Sequence, residues 1–260
     1  MRDILQAVAN GEVSIDEAQR RLNLHALHEV GAMANLDIGR ITRSGKPEIV
    51  RCAGKSVEQA VALALPFLDA TGVVALSHAA AEHDAALRVA RPDALIRFEP
   101  EAGVLVARGP DAPEPPRIGR AAIVTAGTSD APIAMQTKLI AEMLGVETTL
   151  HPDVGISGLH RLFPALEAIV ESDPDVVVAI AGQEGGLAPV MAGLLDFPII
   201  AVPTSTGTGY GGQGIAALST MLQSCSLGLA VVNIDNGIAA AVMAATIIRR
   251  AARGRGAGQE

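Results

Sequence analysis

The sequence predicts an α/β protein in two parts, a smaller α+β domain over residues 1–112 and a three-layer αβα domain over residues 113–260 built on a five-stranded parallel sheet. Three observations carry this. From Arg120 onward, strand-like and helix-like segments alternate strictly. The strand segments are unbroken apolar runs such as Val176–Ala181, the pattern of strands buried on both faces. Four prolines in the seven residues Pro110–Pro116 favour extended backbone and exclude a helix, which marks the domain boundary.

In chain order, Arg2–Asn10 carries apolar residues at helical spacing. Ser14 with Glu17 three residues on is a capping box for a second helix. Ile38–Ile41 and Glu48–Arg51 flank Arg43-Ser44-Gly45-Lys46 and read as a β-hairpin. Ser56 caps a helix to Asp69, Gly72–Leu76 is a strand, Ala79–Val89 a helix, and Ala94–Ala107 a hairpin turning at Pro100–Gly103. Beyond the prolines the expected strands are Arg120–Thr125, Glu147–His151, Val176–Ala181, Ile199–Val202 and Leu229–Asn233. The helices between and after them are Ala131–Leu144, Gly158–Glu171, Leu187–Leu195, Gln213–Leu222 and Gly237–Arg250, and Arg249–Arg255 reads as a frayed basic tail.

Composition narrows the function. A net charge of −8 and only 2% aromatic residues, with no Trp, argue against a nucleic-acid partner, which needs a basic face or stacking platforms. The longest apolar helical run, Ile238–Ile248, falls short of the ~20 residues that cross a bilayer. The first residues lack a signal-peptide core, so a soluble cytoplasmic protein is expected. Cys52 and Cys225 have no zinc-like spacing.

Ligands of open parallel sheets bind at the carboxyl ends of the strands, and the most glycine-rich and polar segments fall there. Gly127, Ser129 and Asp130 open a helix and form a candidate anion seat, or a plain helix cap. His160 and Arg161 begin the next helix, as a proton-exchanging group and a phosphate holder or as surface residues. Glu184 stands among Gly182, Gly185 and Gly186, free to face a ligand or to offset a helix dipole. Thr204, Ser205 and Gly207 open a loop with five glycines between Gly207 and Gly214, a source of N–H donors, and Asp235 sits in a turn after the last strand. His151 reads as structural, and His25, His28, His78 and His83 have no ligand-like partners. Cys225, between Ser224 and Ser226 at a helix end, is a candidate nucleophile, whereas Cys52 reads as a buried core thiol. A helix C-terminus raises a thiol pKa, so Cys225 needs a cation such as His160, Arg161 or the ligand.

The segments VTAGTSDAP, GLHRL, AGQEGGLAPVMAGL, VPTSTGTG and SCSLGLAVVNIDNG, with DIGRITRSGKPEIV and AGKSVEQ before them, resemble the LarB family of pyridinium-3,5-biscarboxylic acid mononucleotide synthases of nickel-pincer cofactor biosynthesis. Residues 120–250 more distantly resemble the PurE family of aminoimidazole ribonucleotide carboxylases and mutases, which implies a PurE- or flavodoxin-like catalytic domain. The resemblance implies carboxylation of nicotinic acid adenine dinucleotide at the pyridinium C5 by CO2 or bicarbonate. Phosphoanhydride hydrolysis releases AMP, Mg2+ assists, and the protein is a homo-oligomer such as an octamer. It implies Cys225 as nucleophile, Glu184 or His160 as base, and Gly127, Ser129, Asp130, Arg161, Gly182, Thr204, Ser205, Gly207 and Asp235 as substrate contacts; it does not assign the Mg2+ ligands, for which Asp130 and Asp235 are candidates. A PurE-type carboxylase or mutase and a non-catalytic nucleotide sensor are the alternatives.

Overall fold

The computed structural model describes residues 2–23, 28–30 and 34–256. His25 lies outside the described residues. The chain divides into two compact units, Met1–Pro113 and Glu114–Glu260.

The first unit begins with α1 (Arg2–Ala9) and α2 (Ile15–Asn23), and Ser14 Oγ accepts the Glu17 N–H as the capping box requires. A two-stranded antiparallel ribbon follows, β1 (His28–Val30) and β2 (Ala34–Leu36). Next come α3 (Arg40–Ser44), β3 (Ile49–Arg51), α4 (Val57–Thr71), β4 (Val73–Ser77), α5 (Ala81–Ala90), β5 (Leu95–Glu99) and β6 (Val104–Arg108). Their sheet has the order β3-β4-β6-β5, with β3 parallel to β4 and the other pairs antiparallel. The capping box at Ser56 and Gln59 and the hairpin β5–β6 form as read from sequence.

The hairpin expected over Ile38–Arg51 does not form. Gly45, at φ 66°, is instead the left-handed cap of α3, its N–H donating to the Ile41 carbonyl, and β3 finds its partner in β4. One glycine after four residues suits a helix stop as well as a hairpin turn, and the availability of β4 as a long-range partner decides between them.

The second unit contains β7 (Gly119–Thr125), α6 (Ala131–Met143), β8 (Val146–His151), α7 (Leu162–Ser172), β9 (Val176–Ala181), α8 (Leu187–Ala192), β10 (Ile199–Pro203), α9 (Ile215–Leu222), β11 (Leu229–Val231) and α10 (Gly237–Gly256). All five strands are parallel in the order β11-β10-β9-β7-β8. Ala122, Val124, Val177, Ala179 and Ala201 face α7, α8 and α9 through Leu162, Ile169, Leu187, Met191 and Met221. The opposite face is covered by α6 and α10. Two expectations need correction. The helix expected from Gly158 starts at Leu162, because Ile156–Arg161 is a tighter 3₁₀ segment broken by Gly158 at φ −133°, ψ 68°. The basic run Arg249–Arg255 continues α10 rather than fraying. No helix among the described residues is long and apolar enough to cross a membrane.

Candidate active site

The chain order sends β8 to one side of β7 and β9 to the other, so the sheet has its topological switch point between β7 and β9. A cleft of about 300 Å³ opens there, lined by the loops that leave β7, β8, β9 and β10. Its polar wall consists of Gly127, Ser129, Asp130, Ser157, Gly182, Gln183, Glu184 and Thr206, with Ile156 and Leu187 as apolar floor.

Asp130 organises this wall. Only 3% exposed, its carboxylate accepts from the Gly127 N–H (2.9 Å), Thr204 Oγ1 (2.6 Å) and Thr206 Oγ1 (3.2 Å). A buried carboxylate is tolerable only when its oxygens are so satisfied. The result ties the first loop to the loop after β10. Thr204 and Thr206 reach the same oxygen as the chain turns just beyond the end of β10 at Pro203.

The β9 loop locks in from the other direction. A side-chain carbon on Gly182 would sit 2.2 Å from Thr206 Oγ1, and one on Gly207 2.7 Å from the Gln183 nitrogen, so the two loops cross with no room for a Cβ. Gln183 itself is left-handed at φ 49°, as are Asp153, Gln213 and Asp235 elsewhere on the rim. Such strained backbone persists only where its surroundings hold it, and it concentrates at ligand sites.

The anticipated residues separate into groups. Gly127, Ser129, Asp130, Gly182 and Glu184 line the cleft, with Ser129 and Glu184 exposed to it. Thr204 is fully buried behind Asp130, and Gly207 is a buried packing point. Ser205 donates its N–H to Asp235 (2.8 Å), and Thr208 donates its N–H to Gln183 Oε1 (3.3 Å). The glycine-rich loop therefore holds its N–H groups at these positions in its own fold instead of presenting them to a ligand. Arg161 is paired with Asp153 (2.6 Å) outside the cleft lining, and His160 is exposed and outside it too. Sequence reading passes over Ser157 as a contact, and Thr206, which falls in the loop read as a source of N–H donors, contributes its hydroxyl to Asp130 instead.

Cys225 is the main departure. It follows α9 and precedes β11, and the neighbouring Gly228 carbonyl accepts from the N–H of Ile199, the first residue of β10. Ser226 Oγ donates to the Pro189 carbonyl (2.8 Å). These contacts fix Cys225 at the amino ends of the strands. The cleft is at the other end, a strand length of roughly 16 Å away for five residues at about 3.3 Å each. The thiol is exposed, and none of the cations expected to activate it adjoins it in its own chain.

Cys52 is buried as expected, and burial pushes its thiol pKa up, partly offset by Lys55. Burial also pushes the His151 imidazole below its ordinary range. Among the described residues no three His, Cys, Asp or Glu side chains cluster as a metal cage.

Comparison with known proteins agrees with this geometry. Residues 120–254 match the AIR carboxylase family, which covers the parallel-sheet unit and its cleft, so the chain belongs to that class of α/β proteins. Residues 27–109 match the LarB/PurE-like N-terminal domain, and the two together identify the chain as a member of the LarB family with a PurE-like C-terminal domain. An uncharacterized protein of Methanocaldococcus jannaschii is 39% identical over 253 residues, 96% of this chain and 97% of its own. The N5-carboxyaminoimidazole ribonucleotide mutase of the same organism is 34% identical over 128 residues, 48% of this chain and 76% of its own. That of Thermotoga maritima is 28% identical over 138 residues, 51% of this chain and 75% of its own. The family domains support a carboxylation-type enzyme.

Proposed function

We propose that the protein carboxylates the pyridinium ring of nicotinic acid adenine dinucleotide at C5 and hydrolyses its phosphoanhydride, giving AMP and pyridinium-3,5-biscarboxylic acid mononucleotide. The observation that carries this reading is the union, in one chain, of the LarB-type N-terminal domain with a PurE-like cleft and an exposed free thiol at Cys225.

The chemistry follows from the ring. A pyridinium is electron-poor, and its C5 does not attack CO2. When the Cys225 thiolate bonds to C4, an electron pair moves into the ring and C5 becomes an enamine carbon, which bonds to CO2. Glu184 then removes the C5 proton, the S–C4 bond breaks, and its electron pair leaves with the thiolate as aromaticity returns. The balance is one C–H and CO2 converted to one carboxylate and a proton; bicarbonate would enter by taking up a proton and losing water to give CO2. Glu184 is preferred to His160 because it faces the cleft.

Ser129, exposed to the cleft beside Asp130, is suited to holding the ribose. Mg2+ binds through one or two carboxylates with substrate phosphates and waters, so the lack of a three-ligand cage among the described residues is compatible with it. Glu184, exposed to the cleft, would face such an ion, which when bound would draw charge from the anhydride, whereas Asp130 has both oxygens taken by Gly127, Thr204 and Thr206.

Cys225 lies at the far end of the sheet from its own cleft. The reaction therefore requires a homo-oligomer, an octamer being the form the family resemblance suggests, in which Cys225 of one copy enters the cleft of another. The purine alternative, conversion of aminoimidazole ribonucleotide or its N-carboxy form, uses the cleft without the thiol and is the reading the mutase relatives favour.

One experiment separates them. The protein is incubated with nicotinic acid adenine dinucleotide, bicarbonate and Mg2+, and products are resolved by mass spectrometry. AMP with a dicarboxylated mononucleotide is expected; turnover of the imidazole substrates alone would replace this reading with the purine one, and binding without either reaction would leave a nucleotide sensor.

A further inference from the structure

The loop that leaves β10 carries a residue that the mechanism has not used. Tyr210 is the chain's single tyrosine, and there is no tryptophan. Its relative exposure of 111% means that nothing among the described residues covers the ring. An uncovered aromatic ring is available to pack on an incoming ligand.

Its setting joins a fixed base to a free tip. Thr206 lines the cleft and bonds Asp130, Gly207 packs on the Gln183 backbone, and Thr208 donates to Gln183 Oε1, so the base of the loop belongs to the cleft wall. Tyr210 follows Thr206 by four residues, a reach of at most about 14 Å of chain. It occupies the outer corner of a turn closed by the Gly212 N–H donating to the Gly209 carbonyl (3.1 Å), with Gly209 at φ 77°. A Cβ added at Gly209 would meet nothing within 4 Å, so the tip has open space on that side. Gly207, Gly211 and Gly214 are close packing points that hold the loop's flanks, so Gly209 is the glycine with open space at which the tip can turn.

We propose that Tyr210 folds over the cleft and stacks on the pyridinium ring of the dinucleotide, covering the face opposite the one the thiolate attacks. This rests on the function proposed above and names a positioning residue for it. The electron-rich face of a phenol attracts a cationic ring more than a neutral one. Thiolate addition makes the ring neutral, so the attraction acts on the bound substrate more than on the adduct, and it governs affinity rather than the chemical step.

Tyr210 is the chain's single tyrosine and there is no tryptophan, so emission excited beyond the phenylalanine band comes from it, which makes the test direct. The full-length protein is titrated with nicotinic acid adenine dinucleotide without CO2 or bicarbonate. Tyrosine emission, corrected for adenine absorption, is followed beside equilibrium dialysis. Saturable quenching that tracks the dialysis curve is expected; nicotinic acid mononucleotide reproduces it and AMP does not. Tyr210→Ala weakens binding by about tenfold, the order of aromatic–base stacking. It raises KM without a matching fall in kcat, and Tyr210→Phe restores affinity. Binding by dialysis with unchanged emission, and equal affinity in Tyr210→Ala, would overturn the stacking while leaving the proposed reaction intact. Quenching by AMP alone would overturn the pyridinium assignment, and no binding of the dinucleotide at all would overturn both.

Discussion

The carboxyl and amino ends of the parallel sheet share five strands but use their connections differently. At the carboxyl end, loops cross one another through Gly182 and Gly207, hold Gln183 and Asp235 at positive φ, and bury Asp130 under three donors. At the amino end, connections are shorter and close the fold. Gly145 at φ 86° turns the chain into β8, and Asp175 Oδ2 accepts the Arg120 N–H (2.9 Å). The carboxyl end resembles a site and the amino end a set of clasps, yet the amino end carries the exposed thiol Cys225. The lesson is that a residue's chemistry and its location are separate facts. A nucleophile at the clasp end makes sense for this chain only if assembly brings the two ends of different copies together.

The largest effect should fall on that point. Cys225→Ala is expected to reduce carboxylation to background, and so is Glu184→Gln. Co-expressing the two variants with different tags and isolating mixed oligomers should recover product, because some sites combine an intact cleft with an intact thiol. Mixed oligomers as inactive as either parent would break the two-ended reading.

Next is the buried carboxylate. Thr204→Val removes the 2.6 Å donor to Asp130 and should destabilise the fold by about 1.5–3 kcal/mol, the scale of a buried hydrogen bond to a charged group. Denaturant unfolding measures it, with an unchanged midpoint counting against Asp130 as the organiser of the wall.

Gly182→Ala sharpens the comparison from the backbone side. Its Cβ would meet Thr206 Oγ1 at 2.2 Å and Thr204 Oγ1 at 2.7 Å, and such overpacking costs roughly 1–3 kcal/mol. Dinucleotide affinity should fall along with stability, whereas an equally destabilising change at the amino end should leave affinity intact; dialysis on both variants distinguishes them.

The smallest effect concerns the two thiols. Cys225 should react at once with a disulfide reagent, and Cys52 only on unfolding. Because burial raises the folded pKa of Cys52, its stabilising contribution is full below the ordinary thiol value of about 8.5 and is lost as pH rises through the folded value. Unfolding free energies across that window should fall with pH in the wild type and flatten in Cys52→Ala, which keeps its carboxylase activity.

Much of the architecture was legible in the residues. Val176–Ala181 is the β9 strand to the residue, because a run apolar at every position suits only a strand covered on both faces. The clefts' contributors Ser129, Asp130 and Glu184 were legible because parallel α/β order puts every strand-to-helix loop at one rim. The pairing of Arg161 with Asp153 was not legible, since only the folded loop brings the two together. Ile49–Arg51 was misassigned to a hairpin because a three-residue strand carries no mark of which distant strand it will meet.

By itself, the sequence determined the alternation of elements, the division near the prolines and the rim on which the polar loops gather. These follow from local periodicity and from the rule that parallel strands end at one side. Tertiary structure alone decided that Thr204 and Thr206 turn onto Asp130 seventy-odd positions away, that Gly182 and Gly207 are needed for loops to cross, and that Cys225 lies at the opposite end of the sheet from its own cleft. The physical reason is that hydrogen bonds and steric exclusion act across space. The direction in which a connection leaves the sheet depends on every strand beside it, not on the few residues that form it.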